Sequence, residues 1–183
     1  MKLNLGCGRN PLDGYINVDR AGLPGVDVVH DLETFPFPFD DATVSDIVGV
    51  DFIEHVRDPL AVMDELYRIA QPGATCTFAL PYGSHDAAWE DPTHTRPYFV
   101  GSWSYFSQPN YFRADYGYEG DWDVQRIELE LVPGLDGATD DEKMSAVQTM
   151  RNVVVRQTAT LVAVKPLRPA DAALRTAPPV AFT

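Results

Sequence analysis

The residues with the clearest chemical potential are two glycines one position apart, in Leu3-Asn4-Leu5-Gly6-Cys7-Gly8-Arg9-Asn10-Pro11. A short apolar run that breaks into Gly-x-Gly reads as a strand entering a tight turn, where backbone without a Cβ can approach a ligand closely. Carboxylates then close or follow successive apolar runs: Asp19 after Tyr15-Ile16-Asn17-Val18, Asp31 after Val26 to His30, and Asp51 after Asp46 to Val50. An acid at the tip of a second strand is suited to accept hydrogen bonds from ribose hydroxyls. Together these residues point to nucleoside binding. Pyrophosphate is disfavoured, because the dinucleotide fingerprint needs Gly or Ala at the position held by Pro11. No Gly-Lys-Ser/Thr follows the glycines, so a phosphate-gripping P-loop is not met either.

Strands alternating with connectors must position these groups, which implies an α/β architecture with a mostly parallel open sheet and ligands beyond the carboxyl ends of the strands. The crossover from Gly8 to Tyr15 is shorter than the dozen residues a parallel connection usually takes. It also contains Pro11 and Gly14, so its helix is expected to be reduced to a turn. One helix is well signalled, with Asp58 as N-cap, Pro59 in the first turn, an apolar stripe of Leu60, Met63, Leu66, Tyr67 and Ile69, and Pro72-Gly73 as the stop. Further strands are expected over 75–80, 123–132 and 153–165, and a helix over 140–150, with acids at its start.

A chain of 183 residues can bury one sizeable core, and neither a linker nor a repeat divides it, so a single domain is expected. The formal net charge of −13 argues against nucleic acid and against an anionic membrane surface. No apolar run has the length of a membrane-spanning helix. Met1 leads at once into a strand, and Cys7 and Cys76 read as buried thiols, so a cytoplasmic setting is expected.

In this order the motifs resemble those of the class I S-adenosylmethionine-dependent methyltransferases, over Leu3 to about Gly83. Leu-Asn-Leu-Gly-Cys-Gly resembles the family's first motif, Asn17-Val18-Asp19 its second-strand acid, and His30-Asp31-Leu32-Glu33 with the Phe-Pro loop its adenine-side motif. Glu54-His55-Val56, Asp58-Pro59-Leu60 and Gln71-Pro72-Gly73 resemble the helix and turn before its fifth strand. The resemblance implies a Rossmann-like sheet with an antiparallel last strand, helices on both faces, and S-adenosyl-L-methionine as cofactor, with S-adenosyl-L-homocysteine as product. By position, Leu5, Gly6, Cys7 and Gly8 would lie under the methionyl part and Asp19 would take the ribose. Asp31 and Leu32 would flank the adenine, Asp51 and Phe52 would lie beneath the sulfonium and ribose, and His55 would stand nearby. The expected activity is methyl transfer to an O, N or C atom of a small-molecule acceptor. The alternative is a non-catalytic, cofactor-binding partner or regulatory subunit of the same fold.

Residues 84–122 are dense in aromatics and read as an insertion that covers the acceptor. His94 is the candidate base, Asp91 its orienting group, and Arg96 a binder of an acceptor carboxylate or phosphate. His85, Asp86, Glu90, Asp91 and His94 also cluster in sequence, but their spacing matches no zinc signature and no metal is expected. The Pro- and Ala-rich tail 166–183 would pack on something if ordered, and a neighbouring subunit of a homodimer is the candidate.

Overall fold

The computed structural model describes residues 1–112, 114 and 116–183; Arg113 and Asp115, inside the expected covering segment, lie outside the described residues. Among the described residues eight strands form one sheet: β1 (Lys2–Leu5), β2 (Ile16–Asp19), β3 (Val28–Val29), β4 (Val44–Val50), β5 (Ala70–Pro81), β6 (Trp122–Leu131), β7 (Val154–Ala163) and β8 (Val180–Phe182). Their spatial order is β3-β2-β1-β4-β5-β7-β6-β8. The pairs from β3 to β5 are parallel, β7 runs antiparallel to both β5 and β6, and β8 adds parallel to β6. The chain winds outward from β1 to β3 and returns to the other side of β1 as β4. That reversal makes the carboxyl ends of β1 and β4 the topological switch point.

Among the described residues no helix connects β1 to β2, β2 to β3 or β3 to β4. The short first crossover is as expected; the next two are also loops, and buried polar side chains hold the first of these three connections. Asn4 and Asn17 point inward from β1 and β2 and are buried. Asn4 Nδ2 donates to Asn17 Oδ1 (2.9 Å) and to Asn10 O (3.1 Å). Asn17 Oδ1 also accepts from Leu12 N (2.7 Å), while Asn17 Nδ2 donates to Leu12 O (3.3 Å) and Tyr15 O (3.2 Å). Asp27 Oδ2 accepts from Asn17 N at 2.8 Å. The backbone groups of Asn10, Leu12 and Tyr15 that face inward are thus satisfied by side chains instead of by helical turns.

Helix α1 (Pro59–Ile69) starts as its sequence implies, with the Asp58 side chain accepting from Ala61 N at 3.1 Å. Its buried face is Pro59, Val62, Met63, Leu66 and Ile69; Leu60 and Tyr67 are only half-buried. The helix ends before Pro72-Gly73, because Ala70 already pairs with Val44 as the start of β5. Near its end Arg68 holds the Phe-Pro loop down: it donates to Phe39 O (2.9 Å) and pairs with Glu65 (2.6 Å) and Asp41. Glu65 in turn accepts from Phe37 N at 2.6 Å, and the Phe37 side chain is buried.

The aromatic segment after β5 is mostly core. Tyr98, Trp103, Phe106, Tyr111, Tyr118 and Trp122 are buried, and Trp103 stacks on Phe78 of β5 at 5.8 Å between centroids. Trp103 Nε1 donates to Gln157 Oε1 of β7, and Gln157 Nε2 donates to Tyr98 O, so 3-10 turns over Val100–Phe106 and Gln108–Phe112 form the layer a helix would otherwise supply. Helix α2 (Ala87–Glu90) is one turn long, and α3 (Asp140–Thr149) starts on a Thr139–Glu142 capping box. The tail is ordered on its own sheet: Arg168 forks onto buried Asp121 and onto Asp123, and β8 closes the β6 edge. No helix among the described residues is long and apolar enough to cross a membrane.

Candidate functional site

At the carboxyl end of β1 the chain turns through two left-handed glycines, Gly6 (φ 60°) and Gly8 (φ 51°), a conformation other residues adopt only with strain. A Cβ on Gly6 would meet the Phe52 ring at 3.0 Å, so that ring fixes the turn from the β4 side. A Cβ on Gly8 would meet nothing nearer than Gly6 O at 4.0 Å; the space above that backbone is open. Gly8 N donates to Asp19 Oδ2 (2.8 Å), and Ala21 N donates to Asp19 Oδ1 (2.8 Å). The Asp19 carboxylate is therefore locked at the tip of β2 by backbone amides, and each oxygen retains a lone pair for a further donor. Cys7 is buried between these glycines with its amide on Val18 O; burial, reinforced by Asp19, pushes its thiol pKa up. It is packing, not a nucleophile.

Farther along the rim, Leu32 is buried and Asp31 is exposed, with Asp31 Oδ1 accepting from Glu33 N at 3.0 Å. Glu33 Oε1 accepts from Arg57 N at 2.8 Å, which ties this loop to the region after β4. Asp51 follows β4 in a left-handed conformation (φ 48°) and pairs with Arg156 of β7 at 2.8 Å. Leu5, Gly6, Cys7, Gly8, Asp19, Asp31, Leu32, Asp51 and Phe52 thus all lie at carboxyl ends of parallel strands or in the loops just beyond.

The second half of the site is assembled from two distant segments. A 3-10 turn, Ile53–His55, follows Phe52, and residues 93–96 are stitched across it. Thr95 N donates to Glu54 O (2.7 Å), the Thr95 hydroxyl donates to Val56 O (2.7 Å), and Arg96 Nη2 donates to Arg57 O (2.6 Å). These bonds bring His94 against His55, with ring centroids 4.8 Å apart and nearly perpendicular. The proton positions follow from the partners. The Thr93 hydroxyl donates to Asp91 Oδ1 (2.6 Å), so toward His55 Nδ1 (3.0 Å) it can only accept. His94 Nδ1 faces Ala88 O at 3.1 Å, and a carbonyl only accepts. Both imidazoles therefore carry hydrogen on Nδ1 and leave Nε2 as the reactive nitrogen.

Asp91 orients His55 through Thr93, not His94, whose Nε2 stands 3.9 Å from Asp91 Oδ2, beyond hydrogen-bond reach. The two hydrogen bonds from Thr93 lower the Asp91 carboxyl pKa. Arg96 neither pairs with Asp91 nor points at open solvent alone; it lines a groove of about 500 Å³ with Tyr98, Phe99 and Tyr105. The sequence cluster of His85 to His94 does not assemble: Asp86 is taken by Arg151 (2.6 Å) and Asn152 (3.0 Å). Glu54 is the site residue that its type and spacing do not mark. Its side chain is buried, both carboxylate oxygens lack a hydrogen-bond partner, and burial raises its pKa to about 7, with Asp51 adding to the rise. The visible signal was an acid beside a histidine in Glu54-His55-Val56, with nothing to show that it turns inward.

No protein-family model and no curated protein matches the sequence. Solved structures do. A chain of the complex between the Trm112 methyltransferase activator and a methyltransferase of Haloferax volcanii aligns with TM-score 0.54 at 18% identity, covering 89% of this chain and 82% of that one. An S-adenosylmethionine-dependent methyltransferase of Thermotoga maritima aligns with TM-score 0.58 at 14% identity, over 90% and 82%. One from Archaeoglobus fulgidus aligns with TM-score 0.55 at 14% identity, over 88% and 85%. Strand order, the switch point and these alignments agree: the chain has the Rossmann-like fold of the class I S-adenosylmethionine-dependent methyltransferases.

Proposed function

We propose that the protein is an S-adenosyl-L-methionine-dependent methyltransferase acting on a small-molecule acceptor. The observation that carries this reading is the closure at the switch point, where the Gly8 amide holds the Asp19 carboxylate beside open, side-chain-free backbone. That surface suits a zwitterionic methionyl group and a ribose diol, which need close backbone approach and hydrogen-bond acceptors more than a helix aimed at phosphate. The residues present fit the cofactor. Leu5 to Gly8 would hold its methionyl part, Asp19 its ribose, Asp31 and Leu32 its adenine, and Asp51 and Phe52 would lie beneath the reacting centre. When bound, S-adenosylmethionine supplies an electrophilic methyl group, which leaves sulfur as the acceptor's lone pair forms the new bond and S-adenosyl-L-homocysteine is released.

The chain's own contribution is alignment and proton handling. Phe52 and the buried apolar floor exclude water from the β1–β4 side. On the acceptor side, His94 Nε2 takes the proton of a nucleophile that carries one, while Ala88 O on Nδ1 fixes its tautomer and orientation. Arg96 and the aromatic groove supply a cationic end and flat apolar walls, which favours an acceptor with an anionic group beside a ring or chain. The acidic chain disfavours nucleic acid as acceptor.

Titration calorimetry with S-adenosylmethionine and with NAD tests the cofactor assignment. Saturable binding of the first alone is expected, and the reverse preference sinks it. A labelled-methyl assay across a panel of small acids, phenols and amines tests turnover. His94→Ala is expected to lower the rate with cofactor affinity unchanged. Binding without turnover on any acceptor would favour the non-catalytic partner role.

A further inference from the structure

We propose that Glu54, His55 and His94 form a binding site for one divalent transition-metal ion, with Zn²⁺ the matching occupant. One ligand atom from each of the three lies within 4.8 Å of the others. Tetrahedral zinc with ligands at about 2.0–2.1 Å sets them roughly 3.3 Å apart, so a small contraction of side chains closes the site. The Thr95 bonds to Glu54 O and Val56 O hold the two ligand-bearing segments together.

Three observations favour a cation here over a merely structural cluster. Both Glu54 oxygens are buried without a partner, and a carboxylate in that position needs a counter-charge. Each imidazole has its Nδ1 hydrogen committed to oxygen, Ala88 O for His94 and Thr93 for His55, which leaves Nε2 as the ring nitrogen free to bind an ion. An outer oxygen on the far ring nitrogen is the usual support of a metal-bound histidine. Finally, two imidazoles and one carboxylate are the donor set of catalytic zinc sites, which keep one position open. Mg²⁺ and Ca²⁺ prefer all-oxygen surroundings and are poor matches.

The site is defined by binding alone and does not depend on methyl transfer. If the methyl-transfer reading also holds, an acceptor hydroxyl on the open position would be acidified by the ion and would release its proton to solvent water. The ion would then replace His94 in proton handling.

Co²⁺ titration of the full chain, followed by visible absorption and then displacement with Zn²⁺, tests the proposal. One saturable Co²⁺ per chain is expected, displaced by one equivalent of Zn²⁺ and not by excess Mg²⁺. Glu54→Gln and His94→Ala should abolish the signal, Thr93→Val should weaken affinity by about tenfold, and His85→Ala should leave it unchanged. Should Glu54→Gln fail to fold, the half-exposed His55→Ala gives the same readout. Absence of saturable Co²⁺ binding, or binding that survives both histidine substitutions, overturns the proposal. Co²⁺ binding by a chain that ignores S-adenosylmethionine would leave the metal site standing and sink the methyl-transfer reading; the converse result would do the opposite.

Discussion

The two halves of the candidate site are held together in opposite ways. On the β1–β2 side, the side-chain links around the turn span short stretches of chain: Asn4 to Asn17, Gly8 to Asp19, Asn17 to Asp27. The groups presented there are backbone and one carboxylate fixed by amides. On the β4 side, the reactive side chains come from residues 54–55 and 94, joined because Thr95 and Arg96 dock on the backbone of 54–57 and Thr93 bonds His55. The first half is part of the folding core, and cutting it costs stability. The second is docked onto a finished fold, and cutting it costs geometry.

Substitutions can break or sharpen this contrast. The largest effect is expected from Asn17→Leu, which leaves the part-buried Leu12 amide without its acceptor and strips the buried Asn4 side chain of one of its two acceptors. Each such buried group costs about 1–3 kcal/mol, and a total near 3 kcal/mol lowers Tm by about 10 °C in a chain of this size. A thermal melt unchanged from wild type would mean that the asparagine network is not what replaces the missing helix. Asp19→Ala should come next: loss of a charged acceptor weakens cofactor binding by roughly ten- to a hundredfold, read by calorimetry, with a smaller fall in Tm. Equal affinity in the two proteins would remove Asp19 from the ribose.

Thr95→Val tests the docked half. The residue is exposed, so Tm should stay within about 2 °C, while turnover falls about tenfold from misplacement of His94 and recovers in Thr95→Ser. A large loss of Tm without rescue by serine would erase the distinction between the halves. The smallest effect is a pH-dependent one away from both. Asp64 on α1 accepts from Glu119 N (2.9 Å), and burial raises its pKa to about 6. A carboxyl that holds its proton more tightly when folded destabilises the fold as pH rises from its unfolded value, about 4, through 6. Asp64→Asn should therefore raise Tm at pH 7.5 and leave it unchanged near pH 3.5; a uniform shift at both would contradict the assignment.

What could be read from the sequence follows the same division. Asp58-Pro59 announces its helix because capping is local, and Gly6, Gly8 and Asp19 announce their turn because positive φ and strand tips leave marks in residue type. The stop at Pro72-Gly73 misled because pairing of Ala70 with Val44 ends the helix first, and that contact is non-local. Asn4 and Asn17 look like ordinary strand residues until a loop needs their amides. The aromatic run from Tyr98 to Trp122 reads as a lid, yet most of its rings are buried in the core, with Trp103 stacked on Phe78 of β5; composition cannot distinguish a wall facing a ligand from one facing a sheet. His94 near His55 was beyond reach for the same reason, since only folding brings segments so far apart in sequence together.

The tail has a consequence for how copies of the chain treat one another. A β6 strand at the margin of the sheet would present a row of unmatched amides and carbonyls, the template on which a second molecule adds a strand. Instead Ile127 N donates to Pro179 O and Leu131 N to Thr183 O, so the chain's own last residues occupy that template. What remains outermost is Val180–Phe182, too short to recruit much. Lys143 lies over the Phe182 ring (5.6 Å), adding a positive charge at that margin. Deleting residues 179–183 should leave the switch-point turn intact and make the protein prone to self-association. Light scattering that stays monodisperse after the deletion would show that β6 needs no such guard.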